Sequence, residues 1–118
     1  MNRTVIAAVD DMFFISKIRA AAEHLGVDVR FLRNSDAVLA SARENKASLI
    51  IVDLHVQKID PIALATALKS DPDLRSTELL GFFSHVQTDL MLNATTAGYD
   101  RVIPRSAFSK DLATILGG

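Results

Sequence analysis

The stretch LIIVD at residues 49–53 decides the fold, because four aliphatic residues run directly into a carboxylate. A run without polar alternation predicts a strand covered on both faces, as in the parallel sheets of α/β domains. In such sheets ligands bind beyond the carboxyl ends of the strands, so Asp53 is a candidate site residue by its position. A turn or helix-capping aspartate is the alternative, and this stretch alone does not decide between the two.

A second apolar run, TVIAAV at residues 4–9, leads into the acidic pair Asp10 and Asp11. Shorter strand patterns follow, and the predicted strands two, four and five cover residues 27–32, 79–84 and 101–103. Strand four ends in the hydroxyl of Ser84, and strand five leads to Arg105. Polar side chains therefore follow several of the predicted strands.

Each predicted strand is followed by a helical pattern. The helix boundaries are marked by Gly26 after helix one, Asn34 with Ser35 before helix two, Asp60 with Pro61 before helix three, and Thr88 with Asp89 and Gly98 around helix four. The last helix is predicted as one continuous element that carries Phe108, Leu112, Ile115 and Leu116. The pattern is a fivefold alternation of strand and helix.

This alternation predicts a single α/β domain over residues 1–118, a doubly wound (βα)5 fold with a five-stranded parallel sheet. The common strand order, 2-1-3-4-5, places strands one and three side by side at a switch point. Asp10, Asp11 and Asp53 would then converge, with Ser84 and Arg105 arriving from strands four and five. Because three carboxylates repel each other, and because oxygen ligands suit Mg²⁺, the crevice is a candidate magnesium site.

Composition excludes several other classes of function. With 13 basic and 14 acidic residues the net charge is near zero, which disfavours binding to nucleic acid or to a membrane surface. Neither a membrane-spanning segment nor a signal peptide is evident, so we expect a cytoplasmic protein. The absence of cysteine removes disulfides, thiolate metal sites and cysteine nucleophiles.

Taken together, these residues resemble the receiver domain of two-component response regulators, including the chemotaxis regulators, along the whole chain. Asp10, Asp11 and Asp53 match the acidic pair and the acceptor aspartate of that family, and Ser84 matches its strand-four hydroxyl. Asp53-Leu54 with Asp60 resembles the acceptor-loop motif, and Ala97-Gly98 with Asp100 resembles the Ala-Gly-Ala-Asp motif that precedes strand five.

The resemblance implies a signalling domain rather than an enzyme. It implies Mg²⁺ bound by Asp10, Asp11, Asp53 and the backbone carbonyl of His55, and a phosphoryl group accepted on Asp53 from a histidine kinase or a phosphotransfer protein. Ser84 and Arg105 would contact the phosphoryl oxygens. With no output domain on the chain, the signal would pass to another protein by contact.

Four departures from the family pattern accompany the matches. Gln57-Lys58 replaces Pro-Gly in the acceptor loop, His85 follows Ser84 where a small residue is usual, Val102 replaces an aromatic residue, and Arg105-Ser106 replaces Lys-Pro. A guanidinium is broader than an ammonium, so Arg105 is expected to hold Asp53 in a resting ion pair. A cis bond before a non-proline residue costs about 2.5–4 kcal/mol, so the bond between Arg105 and Ser106 is predicted to be trans.

Several other interpretations stay open on the sequence. A pseudo-receiver, which keeps the fold and acts as an interaction module without phosphate, is the main alternative function. A flavin or nucleotide binder is disfavoured because no glycine-rich loop follows strand one. A transition-metal site formed by His55, His85 and Asp53 lacks a typical ligand spacing.

Overall fold

A computed structural model describes residues 3–84 and 86–118 of the chain. The strands are β1 (Thr4–Ala8), β2 (Asp28–Phe31), β3 (Leu49–Asp53), β4 (Glu78–Phe83) and β5 (Arg101–Pro104). The helices are α1 (Met12–Leu25), α2 (Ser35–Asn45), α3 (Pro61–Ser70), α4 (Thr88–Ala97), α5 (Arg105–Lys110) and α6 (Leu112–Gly117). Residues 1–2 and His85, the bulky residue that follows Ser84, lie outside the described residues.

The five strands form one parallel sheet in the order β2-β1-β3-β4-β5, which confirms the predicted fold and strand order. All five residues of β3 are buried, as the unbroken aliphatic run predicts. Its two neighbours place Val52 opposite Ala8 of β1 and Asp53 opposite Phe82 of β4. The acceptor candidate therefore lies at the carboxyl edge of the central strand.

Successive residues of the central strands belong to opposite layers of the core, because side chains alternate across a strand. Ile6, Ile50 and Val52 join the layer that packs under α2, α3 and α4. Val5 and Ile51 join the layer that packs under α1 and the two C-terminal helices. Two covered faces explain why the sequence shows no polar alternation in these strands.

The predicted helix ends are confirmed in their geometry. Gly26 ends α1 with a φ of 70°, a left-handed conformation that glycine adopts without steric cost. The Asn34 side chain accepts a hydrogen bond from the Ala37 N–H at 2.8 Å and caps α2. Asp60 caps α3 by accepting from the Ile62 and Ala63 N–H groups at 3.0 and 3.1 Å, with Pro61 at the first helical position.

The last helix differs from the prediction, because it is interrupted at Asp111 between α5 and α6. Asp111 has φ −100° and ψ 13°, outside the helical range. The Asp111 N–H still donates to the Ala107 carbonyl, and the Ile115 N–H still donates to the Asp111 carbonyl, both at 2.9 Å. The interruption is therefore a local distortion that keeps one buried face, which is why apolar periodicity did not reveal it.

At the amino edge of the sheet, Asp100 has a structural role. Its Oδ2 accepts hydrogen bonds from the Leu79 N–H at 2.8 Å and from Lys69 Nζ at 3.0 Å. Lys69 Nζ also donates to the Arg75 and Thr77 carbonyls, both at 3.2 Å. This network fixes α3, β4 and the start of β5 relative to one another.

Two further expectations concern the whole chain. All peptide bonds between described residues are trans, which confirms the prediction for Arg105 and Ser106. Among the described residues, none of the helices has the length and apolarity needed to cross a bilayer.

Candidate functional site

Asp53 is the only charged side chain that is buried among the described residues, with 7% of its surface exposed. Its Oδ1 accepts a hydrogen bond from the His55 N–H at 2.9 Å, which fixes the carboxylate at the end of β3. Burial raises the pKa of Asp53, and the negative charges of Asp10 and Asp11 raise it further, while the His55 N–H and imidazole act in the opposite direction. Holding this carboxylate ionised therefore costs folding free energy.

Asp10 connects the end of β1 to the segment that follows β3. Its Oδ2 accepts a hydrogen bond from the Gln57 N–H at 3.2 Å. Gln57 lies in the acceptor loop, which we define as residues 54–60. Asp10 therefore supports the loop beside Asp53 as well as contributing negative charge to the crevice.

Asp11 caps α1, which is the structural alternative to a metal-binding role. Its Oδ1 accepts from the Phe13 N–H at 2.8 Å and from the Phe14 N–H at 3.3 Å. A carboxylate at this position is also stabilised by the helix dipole. Because Oδ2 accepts no hydrogen bond from the described residues, capping and a contribution to a metal site are compatible.

The three carboxylates do not form a compact cluster. Within residues 3–84 and 86–118, no group of three potential ligands is close enough to hold a metal ion. The expected convergence is therefore only partial: Asp10 and Asp11 act on Asp53 through their charge, but each of them is oriented by a backbone N–H. An oxygen-only set of this kind still suits Mg²⁺, which needs one or two carboxylates and otherwise keeps water.

Ser84 and Arg105 lie at the ends of β4 and β5, as predicted, but they make few contacts there. Ser84 is half-buried directly after β4, and its hydroxyl has no hydrogen-bond partner among the described residues. Arg105 is exposed and starts α5, with its guanidinium carbon 4.9 Å from the centre of the Phe14 ring. In the described part of the chain Arg105 forms no ion pair, so the expected resting pair with Asp53 is wrong.

The physical reason lies in the aromatic cluster beneath Arg105. Phe14 packs against Phe82 and Phe108, with ring centres 5.1 and 6.0 Å apart, and this cluster fills the space below the start of α5. The face of Phe14 offers the guanidinium a cation–π contact, worth about 0.5–1 kcal/mol at an exposed site. The two residues before Phe14, Met12 and Phe13, are 64% and 58% exposed.

Tyr99 is a residue of the site region that sequence reasoning missed. It lies between α4 and β5, is 4% exposed, and donates a hydrogen bond from its hydroxyl to the Pro61 carbonyl at 2.9 Å. Burial, together with the charge of Asp60, raises the pKa of Tyr99, so its hydroxyl stays protonated at neutral pH. The available signal was a large residue at a position where the resemblance predicts alanine.

Comparison by sequence and comparison by structure give different results for this chain. No protein-family model and no curated protein matches the sequence significantly. Solved structures do match: a response regulator from Hahella chejuensis has 19% identity and a TM-score of 0.85, covering 98% of this chain and 92% of that one. The chain has the fold of response regulator receiver domains.

Two further matching structures are a phosphorylated and a metal-bound response regulator. The phosphorylated cyanobacterial phytochrome response regulator RcpA is 21% identical, with a TM-score of 0.81 over 100% of this chain and 91% of that chain. The Mn²⁺-bound response regulator Rcp1 is 17% identical, with a TM-score of 0.76 over 98% and 90%. At identities this low, the similarity establishes the shared fold alone.

Proposed function

We propose that this chain is a receiver that accepts a phosphoryl group on Asp53 in two-component signalling and then acts by contact with a further protein. The observation that carries the proposal is the buried Asp53 carboxylate at the switch point of the sheet, oriented by the His55 N–H and raised in pKa. A carboxylate with a perturbed pKa at the carboxyl end of a central parallel strand is typical of a functional site. Burying the charge of Asp53 lowers the stability of the fold, and a role as phosphoryl acceptor explains why a carboxylate is present there.

In the proposed reaction an oxygen of Asp53 attacks the phosphorus of the donor. With Oδ1 engaged by the His55 N–H, Oδ2 is the nucleophilic atom. The bond from phosphorus to the donor atom breaks, and the donor leaves with that electron pair, either as acetate from acetyl phosphate or as neutral imidazole from a phosphohistidine whose other ring nitrogen carries a proton. The attacking form of Asp53 is the ionised carboxylate, so this step takes no proton from Asp53, and catalysis consists of positioning and neutralisation of charge.

Mg²⁺ is the proposed cofactor, held by Asp10, Asp11, Asp53 and the backbone carbonyl of His55. When bound, it offsets the negative charge shared by the carboxylates and the incoming phosphoryl oxygens. The support for this site is the oxygen-only donor set, together with a pKa of Asp53 that is raised by burial and, to a smaller extent, by the negative charges of Asp10 and Asp11.

Ser84 is the proposed hydrogen-bond donor to the phosphoryl group, and Arg105 the proposed protein cation. Arg105 must leave Phe14 to reach the product. Charge-assisted hydrogen bonds are worth about 1.5–3 kcal/mol, more than the contact of about 0.5–1 kcal/mol that the ring provides. The exchange is therefore favourable once a phosphoryl group is present.

The pseudo-receiver is the second candidate function; it would use Arg105 as a standing counter-charge to Asp53, and the position of Arg105 on Phe14 does not favour that role. In a pseudo-receiver Asp53 would act only in the architecture of the loop, and partner binding would not depend on phosphate.

Intact-mass measurement with acetyl phosphate decides between the two functions. Wild-type protein is incubated with and without Mg²⁺, beside Asp53→Asn as the matched control, since asparagine keeps the acceptor for the His55 N–H. The proposal expects the mass of one phosphoryl group on wild type, only with Mg²⁺, and none on Asp53→Asn. No gain on wild type contradicts it and supports the pseudo-receiver.

A further inference from the structure

Tyr99 contacts the first turn of α3 from the opposite side of the acceptor loop. Its hydroxyl donates to the carbonyl of Pro61, the residue after the α3 cap Asp60. A buried tyrosine needs a partner for its hydroxyl, because an unpaired polar group in the core is costly. The carboxyl end of the acceptor loop is thus fixed by a residue between α4 and β5.

Gly81 provides the space that the Tyr99 ring occupies. A Cβ atom on Gly81 would lie 3.1 Å from Cδ1 and Cε1 of Tyr99 and 2.9 Å from Cδ2 of Leu54. The tyrosine ring and the leucine side chain therefore pack against the same stretch of β4 backbone. Leu54 directly follows Asp53, so the first residue of the acceptor loop and the Tyr99 ring both lie against Gly81.

Between these two ends the acceptor loop carries the contacts that orient the acids. The Leu54 N–H donates to the Phe82 carbonyl at 2.9 Å, the His55 N–H donates to Asp53, and the Gln57 N–H donates to Asp10. A displacement at either end of the loop would move these N–H groups relative to the carboxylates.

We propose that Tyr99 is a positioning residue for the acceptor, which holds both ends of the acceptor loop and links the geometry around Asp53 to the corner between α4 and β5. The functional part of this proposal rests on phosphorylation of Asp53. Because coupling is reciprocal, a loop rearranged by phosphorylation would also change the corner.

Amide hydrogen exchange of the unmodified protein tests the positioning role. Tyr99→Phe removes one hydroxyl. Thr66→Val on α3 and Thr95→Val on α4 are the matched controls, because each also removes one hydroxyl, which donates a hydrogen bond to the carbonyl four residues earlier. We expect Tyr99→Phe to speed exchange at Leu54, His55 and Gln57 by about tenfold, as expected for loss of one buried hydrogen bond. The controls should leave these amides within about twofold of wild type.

Two results would overturn the proposal. Unchanged exchange in the loop would mean that the hydroxyl does not hold it, and an equal rise at the amides of β1 and β3 would mean that Tyr99 contributes only to global stability. Gly81→Ala is a second, independent variant, since the added Cβ displaces Leu54 or the ring. It should shift the His55 amide resonance and speed exchange in the same loop; an unshifted His55 resonance contradicts the proposal.

Phosphorylation with acetyl phosphate and Mg²⁺ completes the test. We expect Tyr99→Phe to be labelled several-fold more slowly than Thr66→Val, and to lose the resonance changes at Gly98 and Asp100 that phosphorylation produces in wild type. Retention of those changes overturns the link to the corner. Failure of wild type to be labelled contradicts phosphorylation but leaves the exchange result valid, so the two proposals fail separately.

Discussion

The two halves of the crevice differ in how completely they are assembled. On the acid side, each of the three carboxylates accepts a hydrogen bond from a backbone N–H; they are Asp10, Asp11 and Asp53. On the opposite side, Ser84 and Arg105 have no such partners among the described residues, and Arg105 rests on Phe14. The acceptor half is preorganised, whereas the half that would neutralise the phosphoryl group must rearrange after it arrives.

The contrast between Asp53 and Arg105 follows from where each residue lies in the sheet. Asp53 is buried at the end of the central strand β3, so its carboxylate must be satisfied by the protein. β5 is an edge strand with both end residues exposed, and water can solvate an arginine at its end. The departures from the receiver pattern at Val102 and Arg105 both fall on this less constrained edge.

The largest expected effect concerns the cation. We expect Arg105→Gln to slow labelling by acetyl phosphate about tenfold, which corresponds to about 1.4 kcal/mol of activation free energy, because it removes the proposed positive charge. Arg101→Gln is the control, an exposed arginine at the amino end of the same strand. Equal rates for wild type and Arg105→Gln would show that Arg105 stays on Phe14 throughout.

A stability measurement addresses the acid side. Burial raises the folded-state pKa of Asp53 above its unfolded value, so the folded protein loses stability as pH rises through the folded pKa. We expect Asp53→Asn to raise the free energy of unfolding at neutral pH by about 0.5–2 kcal/mol, the range typical of relieving a costly functional group. In urea denaturation the gain should vanish below the unfolded pKa, and a gain that persists there would contradict burial of charge as its cause.

Two substitutions of Asp11 distinguish its role as the α1 cap from the role of its negative charge in binding Mg²⁺. We expect Asp11→Ala to lower the free energy of unfolding by about 1 kcal/mol through loss of the α1 cap, and Asp11→Asn to restore it, because asparagine caps equally well. Both variants should bind Mg²⁺ more weakly in a calorimetric titration. If Asp11→Asn binds Mg²⁺ as wild type does, Asp11 is a cap alone.

The smallest effect is expected at Ser84. Since its hydroxyl has no partner in the described structure, Ser84→Ala should change the free energy of unfolding by less than about 0.5 kcal/mol. The lifetime of phosphorylated protein should nevertheless shorten. A larger loss of stability, measured by thermal denaturation, would mean that this half of the crevice is preorganised as well.

Most of the fold could be predicted from the sequence because its signals were local. The run at 49–53 became β3 with the predicted bounds, and the caps at Gly26, Asn34 and Asp60 have the expected geometry. The distortion at Asp111 was not predictable from periodicity, since the apolar residues on both sides of it share one face.

The candidate site was predictable in position but less so in orientation. The strand order brings the acids and Ser84 to one edge, but no sequence pattern distinguishes Asp53 from Phe14 as the partner of Arg105. That choice depends on a cluster of rings from α1, β4 and α5, which only the tertiary structure brings together. Tyr99 depends likewise on a contact between distant segments.

Mapping the modified residue tests the central claim most directly. Protein treated with acetyl phosphate and Mg²⁺ is reduced with borohydride, which converts an aspartyl phosphate into homoserine, and is then digested and sequenced by mass spectrometry. Phosphorylation on the preorganised carboxylate predicts homoserine at position 53 alone. Homoserine at Asp10 or Asp11 instead, or at no aspartate, would contradict it.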